Sequence, residues 1–282
     1  MLKLNILRRA MRVLAIIEAT PKDRFEGPVF VVGNGRSGTS VMLSTVRKTL
    51  EWTYHSEGHF YPLIRDLCIP LDGFFQSKRI VNLSKSPEHM LHHVDISKVN
   101  ESISKVVFDV FLEIYGTTNF VDKTPGPSAI LSLPYLQRVF PTMRVIHMKR
   151  RGIEVVRSSV KKFAETDFET HCNIWERALS NWDSVVPELT VPHITIDQND
   201  LSLMPAEVVK ELAPFLSLNT AQSETMLKYF ETDRPQSSGD LNRGGISIGS
   251  SGWTTDQIEI YRKIAAPMME RHGWSESATY YS

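Results

Sequence analysis

Cysteine is nearly missing. Cys68 and Cys172 are the two in 282 residues, too few for a disulfide framework, and neither stands in a CxxC or CxxH zinc spacing. An excess of either charge is missing too: 32 Lys+Arg meet 32 Asp+Glu, which speaks against a protein that coats nucleic acid through bulk electrostatics. No apolar run reaches the roughly 18–20 residues of a membrane span. The expectation is a reducing, cytoplasmic compartment, with no transmembrane segment, no nucleic-acid partner and no metal. What is present is ordinary for a globular chain: 41% hydrophobic and 23% charged residues, at a length that suits one large α/β domain or two small ones.

Met1 to Thr20 alternates Lys3, Arg8, Arg9 and Arg12 with aliphatic residues. The charges interrupt any signal-peptide core and predict an amphipathic helix, packed on the protein's own surface or laid on a membrane or partner. Residues 1–26 are therefore set apart from a domain over 27–282. In that domain, apolar β-branched runs predict strands at Pro28–Gly33, Asn119–Asp122, Arg144–Met148 and His193–Ile196. Helical patterns lie between and after them, at 41–50, 127–140, 153–163, 168–189, 205–216, 220–230 and 254–272. In the 168–189 pattern Ile174, Trp175, Ala178, Leu179 and Trp182 share one face. Residues 52–117 read as irregular with helical pieces, an insertion on the acceptor side, and 239–252 as a Gly- and Ser-rich loop. Such alternation implies an α/β fold: a mostly parallel sheet with helices on both faces and ligands at the carboxyl ends of its strands.

The first strand runs into Gly33-Asn-Gly35-Arg36-Ser37-Gly38-Thr39-Ser40 and then a helix. Glycines let backbone N–H groups approach an anion, and the helix N-terminus adds unsatisfied donors. The glycine spacing matches a nucleoside-triphosphate loop, GxxxxGK[ST], but Thr39 stands where that loop has lysine. The cation sits inside the loop instead, at Arg36. A second basic site follows the third strand: seven Lys/Arg against Glu154 alone between 144 and 162.

The Val-Val-Gly-Asn-Gly-Arg-Ser-Gly-Thr-Ser run resembles the 5′-phosphosulfate loop of sulfotransferases that use 3′-phosphoadenosine 5′-phosphosulfate (PAPS), in the arginine-loop variant of bacterial and protein-tyrosine sulfotransferases. The resemblance implies a P-loop-NTPase-like sulfotransferase fold, with Gly35, Arg36, Ser37, Gly38, Thr39 and Ser40 around the 5′ end of the nucleotide. In that family an Arg after a strand and a Ser eight residues later hold the 3′-phosphate. Arg150 and Ser158 match this spacing, and so do Arg151 and Ser159. The usual acid and Pro are replaced here by Arg151 and Gly152. Arg243 and Gly244 resemble, more loosely, the loop that closes over the nucleotide.

Sulfuryl transfer needs positioning, neutralisation of the leaving phosphate, and removal of the acceptor's proton. Lys123 follows the second strand and so emerges at the ligand edge, matching a lysine of related sulfotransferases. Glu57 stands 21 residues after Arg36, a spacing that resembles the arginine-loop branch, and is the expected general base. His55 and His59 compete with it. Catalytic expectations are thus Glu57, Lys123 and Arg36, with PAPS as co-substrate, 3′-phosphoadenosine 5′-phosphate (PAP) as product, and a hydroxyl or amine acceptor whose class the sequence does not carry. Two other readings stay open. One is a kinase using ATP and Mg²⁺, with Asp122 as metal ligand; the other is a nucleotide-binding protein without catalysis. His89, His92 and His93 share a helical face, a weaker pattern for a metal.

Overall fold

The computed structural model describes residues 25–55, 57–232 and 245–282. The helix expected over Met1–Thr20 lies outside the described residues, as do Arg243 and Gly244. Five strands form one parallel sheet: β1 (Val29–Gly33), β2 (Thr53–Tyr54), β3 (Phe120–Lys123), β4 (Arg144–Lys149) and β5 (His193–Asp197). Their order is β2-β3-β1-β4-β5. β1 is central, paired with β3 on one side and β4 on the other, so the chain reverses direction across the sheet at β1. Crevices at such a switch point are where ligands of open α/β sheets sit.

β1 reads as a continuous apolar run because both its faces are buried. Phe30 and Val32 point to one core with Phe120, Val145 and Trp182. Val29 and Val31 point to the other with Val121, Ile146, Met148 and Ile196. Each of these four β1 side chains is fully buried and contributes roughly 1.5–3 kcal/mol. The second face is covered by α1 (Thr39–Leu50), α9 (Gln198–Leu203), α10 (Pro205–Phe215) and α11 (Thr220–Thr232).

The first face carries α2 (Tyr61–Gln76), α4 (Ile96–Tyr115), α5 (Pro127–Leu131), α6 (Leu133–Val139) and α8 (Phe168–Val185), with α3 (Lys78–Leu83) beside α2. A third cluster joins α7 (Gly152–Lys162) and α8 to α12 (Thr255–Arg271).

Three expectations are corrected. The helix expected over 127–140 is two helices, because Pro134 has no N–H to continue the ladder and the chain turns at Ser132. Ile174 leaves the buried face of α8 and is 39% exposed, whereas Trp175, Ala178, Leu179 and Trp182 are buried. The stretch 52–117 is more regular than its composition suggests. α4 is a twenty-residue helix that buries Val107, Phe111 and Tyr115 at i, i+4 and i+8, starts at an Asp95 cap and stops at left-handed Gly116.

Candidate functional site

The loop after β1 is built around two unusual backbone positions. Gly33 has φ +140, and a Cβ there would run into the Met148 carbonyl on β4. Arg36 has φ 70, the left-handed region that a non-glycine residue enters at a cost of roughly 1–2 kcal/mol. Two contacts hold it there. Arg36 Nε donates to Ser158 Oγ at 2.9 Å, and Arg150 Nη1 donates to the Arg36 carbonyl at 3.0 Å. Gly38, at φ 86, then opens α1. That helix has no side-chain cap and no acid in its first turn, so its N-terminal donors and the positive end of its dipole face the loop.

Arg150 and Ser158, not Arg151, therefore meet the phosphate-type loop. Arg151 turns the other way and is fully buried. Its guanidinium forks onto Glu154 at 3.0 and 2.5 Å and donates to the carbonyls of Ser275, Ser277, Thr279 and Ile246. Gly152 is required beside it, because a Cβ there would lie 2.5 Å from Tyr261 Oη and 3.0 Å from the Trp175 ring.

Two buried polar atoms in this region have no hydrogen-bond partner: Ser37 Oγ and Arg150 Nε. Burial also disfavours the charge of Arg150, lowering its pKa from the usual arginine value; an arginine nevertheless stays ionised. A half-buried cation with an unpartnered Nε–H, a buried hydroxyl without a partner and an uncapped helix start fit an anion that brings its own acceptors.

β3 delivers the second half of the site. Lys123, 5% exposed, donates to Ser40 Oγ at 3.0 Å and to Glu57 Oε1 at 2.5 Å. Glu57 Oε2 meets His59 Nε2 at 2.8 Å. Burial pushes the Glu57 carboxyl up, but Lys123 and then His59 outweigh it, and the net pKa lies below the usual glutamate value. His55 is turned away, its Nε2 on the Ile114 carbonyl at 3.1 Å and its ring on Tyr115. The structure thus brings Glu57, His59, Lys123 and Ser40 together and leaves His55 out.

Asp122 is fully buried. It accepts a short hydrogen bond from Tyr115 Oη and a longer one, 3.4 Å, from Thr124 Oγ1. Burial first, and the Asp122 charge second, raise the Tyr115 pKa far above its usual value, so the phenol remains a donor. Gly58 lies directly over this carboxylate, where a Cβ would overlap Oδ2 and press on Oδ1. Thr124 Oγ1 accepts from the His59 N–H at 3.1 Å. Asp122 is therefore a packing floor for the Glu57–His59 turn. Tyr115 and Gly58 carried no motif.

His92 and His93 bond nearby carbonyls of Ser84 and Pro87, and among the described residues no group of three His, Cys, Asp or Glu side chains could hold a metal ion. No helix among the described residues is long and apolar enough to cross a membrane.

A curated protein of Aquifex aeolicus (strain VF5), described as uncharacterized, is 23% identical over 260 residues. The match covers 86% of this chain but 32% of that protein, so this chain spans about a third of its relative's length. Among solved structures, the sulfotransferase STF9 of Mycobacterium avium has a TM-score of 0.51 at 13% identity, over 98% of this chain and 83% of that one. The sulfotransferase domain of the Synechococcus PCC 7002 olefin synthase gives 0.47 at 18% identity, over 79% of this chain and 84% of its own. Mouse sulfotransferase SULT7A1, solved with PAP, gives 0.46 at 11%, over 89% and 86%. The sequence model of the sulfotransferase family matches residues 28–222, more than half of the chain and the whole stretch from β1 past β5, and the chain belongs to that family.

Proposed function

We propose that the protein transfers a sulfuryl group from PAPS to a hydroxyl or amine acceptor. The observation that carries this reading is the pair of buried, unpartnered donors, Ser37 Oγ and Arg150 Nε, at a loop that runs into an uncapped helix. They suit a ligand that brings anionic acceptors. Gly35, Arg36, Ser37, Gly38, Thr39 and Ser40 would hold the 5′ end, and Arg150 with Ser158 the 3′-phosphate.

When bound, the nucleotide supplies a sulfuryl group already activated on a phosphate oxygen. The bond from sulfur to that oxygen breaks as the bond to the acceptor oxygen or nitrogen forms, and the phosphate keeps the electron pair. Lys123 would offset negative charge at this centre without a metal, whereas the Arg36 side chain, bonded to Ser158 Oγ, would serve the nucleotide side. Glu57 takes the acceptor's proton. It is ionised at neutral pH, because its pKa is held low. The same low pKa makes it a weak base while Lys123 pairs with it alone; sharing that cation with the incoming anionic group would weaken the pairing and raise the carboxylate's basicity.

Isothermal titration with PAP, AMP and ATP, each with and without Mg²⁺, tests the reading. PAP is expected to bind most tightly and without metal. Tighter binding of ATP with Mg²⁺ would replace it with a kinase.

A further inference from the structure

The peptide bond between Arg150 and Arg151 is pinned on both sides by side chains distant in sequence. Its carbonyl, on Arg150, accepts from Trp175 Nε1 at 3.0 Å. Its N–H, on Arg151, donates to Tyr280 Oη at 2.8 Å. A peptide plane held from two directions cannot rotate, and that plane sets the direction in which the Arg150 side chain leaves the backbone.

Tyr280 is itself held. Its hydroxyl donates to Asp197 Oδ1 at 2.8 Å, at the carboxyl end of β5. Asp197 is 3% exposed and takes two more donors from the same segment, Trp274 Nε1 at 3.3 Å and Tyr281 Oη at 3.1 Å. The backbone of that segment is gathered by the fully buried Arg151, through the carbonyls of Ser275, Ser277 and Thr279. The Arg151 guanidinium also lies 4.9 Å from the centre of the Tyr280 ring. Arg151 thus fastens the strand of chain that carries Tyr280, and Tyr280 fastens the peptide next to Arg150.

We propose that Tyr280 is a positioning residue for the nucleotide site, acting through the Arg150–Arg151 peptide to aim Arg150 at the 3′-phosphate. The inference rests on the reading of Arg150 given above. It assigns to residues 274–281, which lie beyond the stretch matched by the family model, a share in telling a 3′-phosphorylated nucleotide from one without that group. The departure at Arg151 has a consequence of its own, since this arginine ties that segment to the site.

Tyr280→Phe keeps the ring and removes the hydroxyl. Tyr281→Phe is the matched control: it also removes a donor to Asp197 but makes no bond to the 150–151 peptide. Titration of the full chain with PAP and with AMP reads the outcome. Tyr280→Phe should weaken PAP roughly three- to ten-fold, the worth of one hydrogen bond, and leave AMP unchanged. Tyr281→Phe should leave the PAP-to-AMP ratio at its wild-type value, with melting temperature as the check on folding for both. A wild-type ratio in Tyr280→Phe, or an equal fall in both variants, overturns the positioning role. Wild-type protein that fails to prefer PAP over AMP overturns the nucleotide reading itself, a separate failure visible before any variant is made.

Discussion

Lys123 Nζ lies between two oxygens with different futures, Glu57 Oε1 at 2.5 Å and Ser40 Oγ at 3.0 Å. One belongs to the residue assigned to the acceptor's proton, the other to the loop assigned to the nucleotide. The lysine therefore links the two halves of the site, and its third N–H is left for a transferring group.

Replacing Glu57 by Gln keeps the shape and removes the base. Turnover should fall about 10²–10⁴-fold, while PAP affinity stays near wild type. A nitrophenol acceptor, whose hydroxyl is more acidic, should recover part of that loss and little of the loss from Lys123→Ala. If Glu57→Gln keeps full turnover and His59→Ala abolishes it, the base is the histidine 2.8 Å away.

The balance of effects on Glu57 gives a second outcome. Burial raises its pKa, while Lys123 and His59 lower it further than burial raises it. With Lys123→Met the raising influence is left against His59 alone, so the carboxyl should move up. Carbon-detected NMR titration of the side chain reads this directly. A carboxyl that stays put or moves down would mean that the ion pair does not set its acidity.

Arg150→Ala would remove the charge-assisted contact proposed for the 3′-phosphate. It should weaken PAP by roughly 1.5–3 kcal/mol and leave AMP almost unaffected. Equal losses for both nucleotides would move the 3′-phosphate elsewhere. Arg36→Ala should impair binding and turnover, with no rescue by Mg²⁺.

Most of this frame was readable along the chain because its signals are local. Val29–Gly33 is buried on both faces and reads as an unbroken apolar run; the loop after it is a contiguous motif. Lys123 follows a strand that is legible in sequence, whereas Glu57 was reached only through a spacing that resembles the arginine-loop branch. The choice between Arg150 and Arg151 was not readable, since both have a serine eight residues on; contacts with Arg36 on one side and with residues 246 and 275–279 on the other separate them. Tyr280 has its partners far away in sequence, at Arg151 and Asp197, and Gly58 matters through a close approach of backbone to the Asp122 carboxylate. The helices within 52–117 are hard to read in sequence because α2, with Pro62 and Pro70, has a composition that looks like loop although its buried face holds Ile64 and Cys68.

Two histidines set a pH window for stability. His147 is buried against Trp182 and its pKa is pushed well below the usual histidine value, by burial first and by Lys149 and His272 after it. His272 is lowered to about 4, again chiefly by burial. Both folded-state values lie below the unfolded value near 6.5, so the unfolded chain binds more protons below about pH 6.5. Stability should fall as pH drops from 7 towards 5, by up to roughly 1.4 kcal/mol per unit for each histidine. Melting temperatures at pH 7 and 5 check it, and His147→Gln should flatten the dependence.

Gly58 gives the most local test of how the turn is held. A methyl group there would overlap Asp122 Oδ2 and press on Oδ1 at 3.0 Å, oxygens that Tyr115 and Thr124 already hold. The carboxylate is fully buried and has no room to retreat, so the turn bearing Glu57 and His59 must lift instead. Gly58→Ala should therefore separate Glu57 from Lys123 and cut turnover by an amount approaching that of Glu57→Gln. PAP affinity should hold, because Arg36, Ser37 and Arg150 belong to the other half of the site. Pairing it with Asp122→Ala, which opens space beneath the new methyl, should return part of the lost turnover. Wild-type turnover in Gly58→Ala would show that the close approach to Asp122 has no part in placing the base.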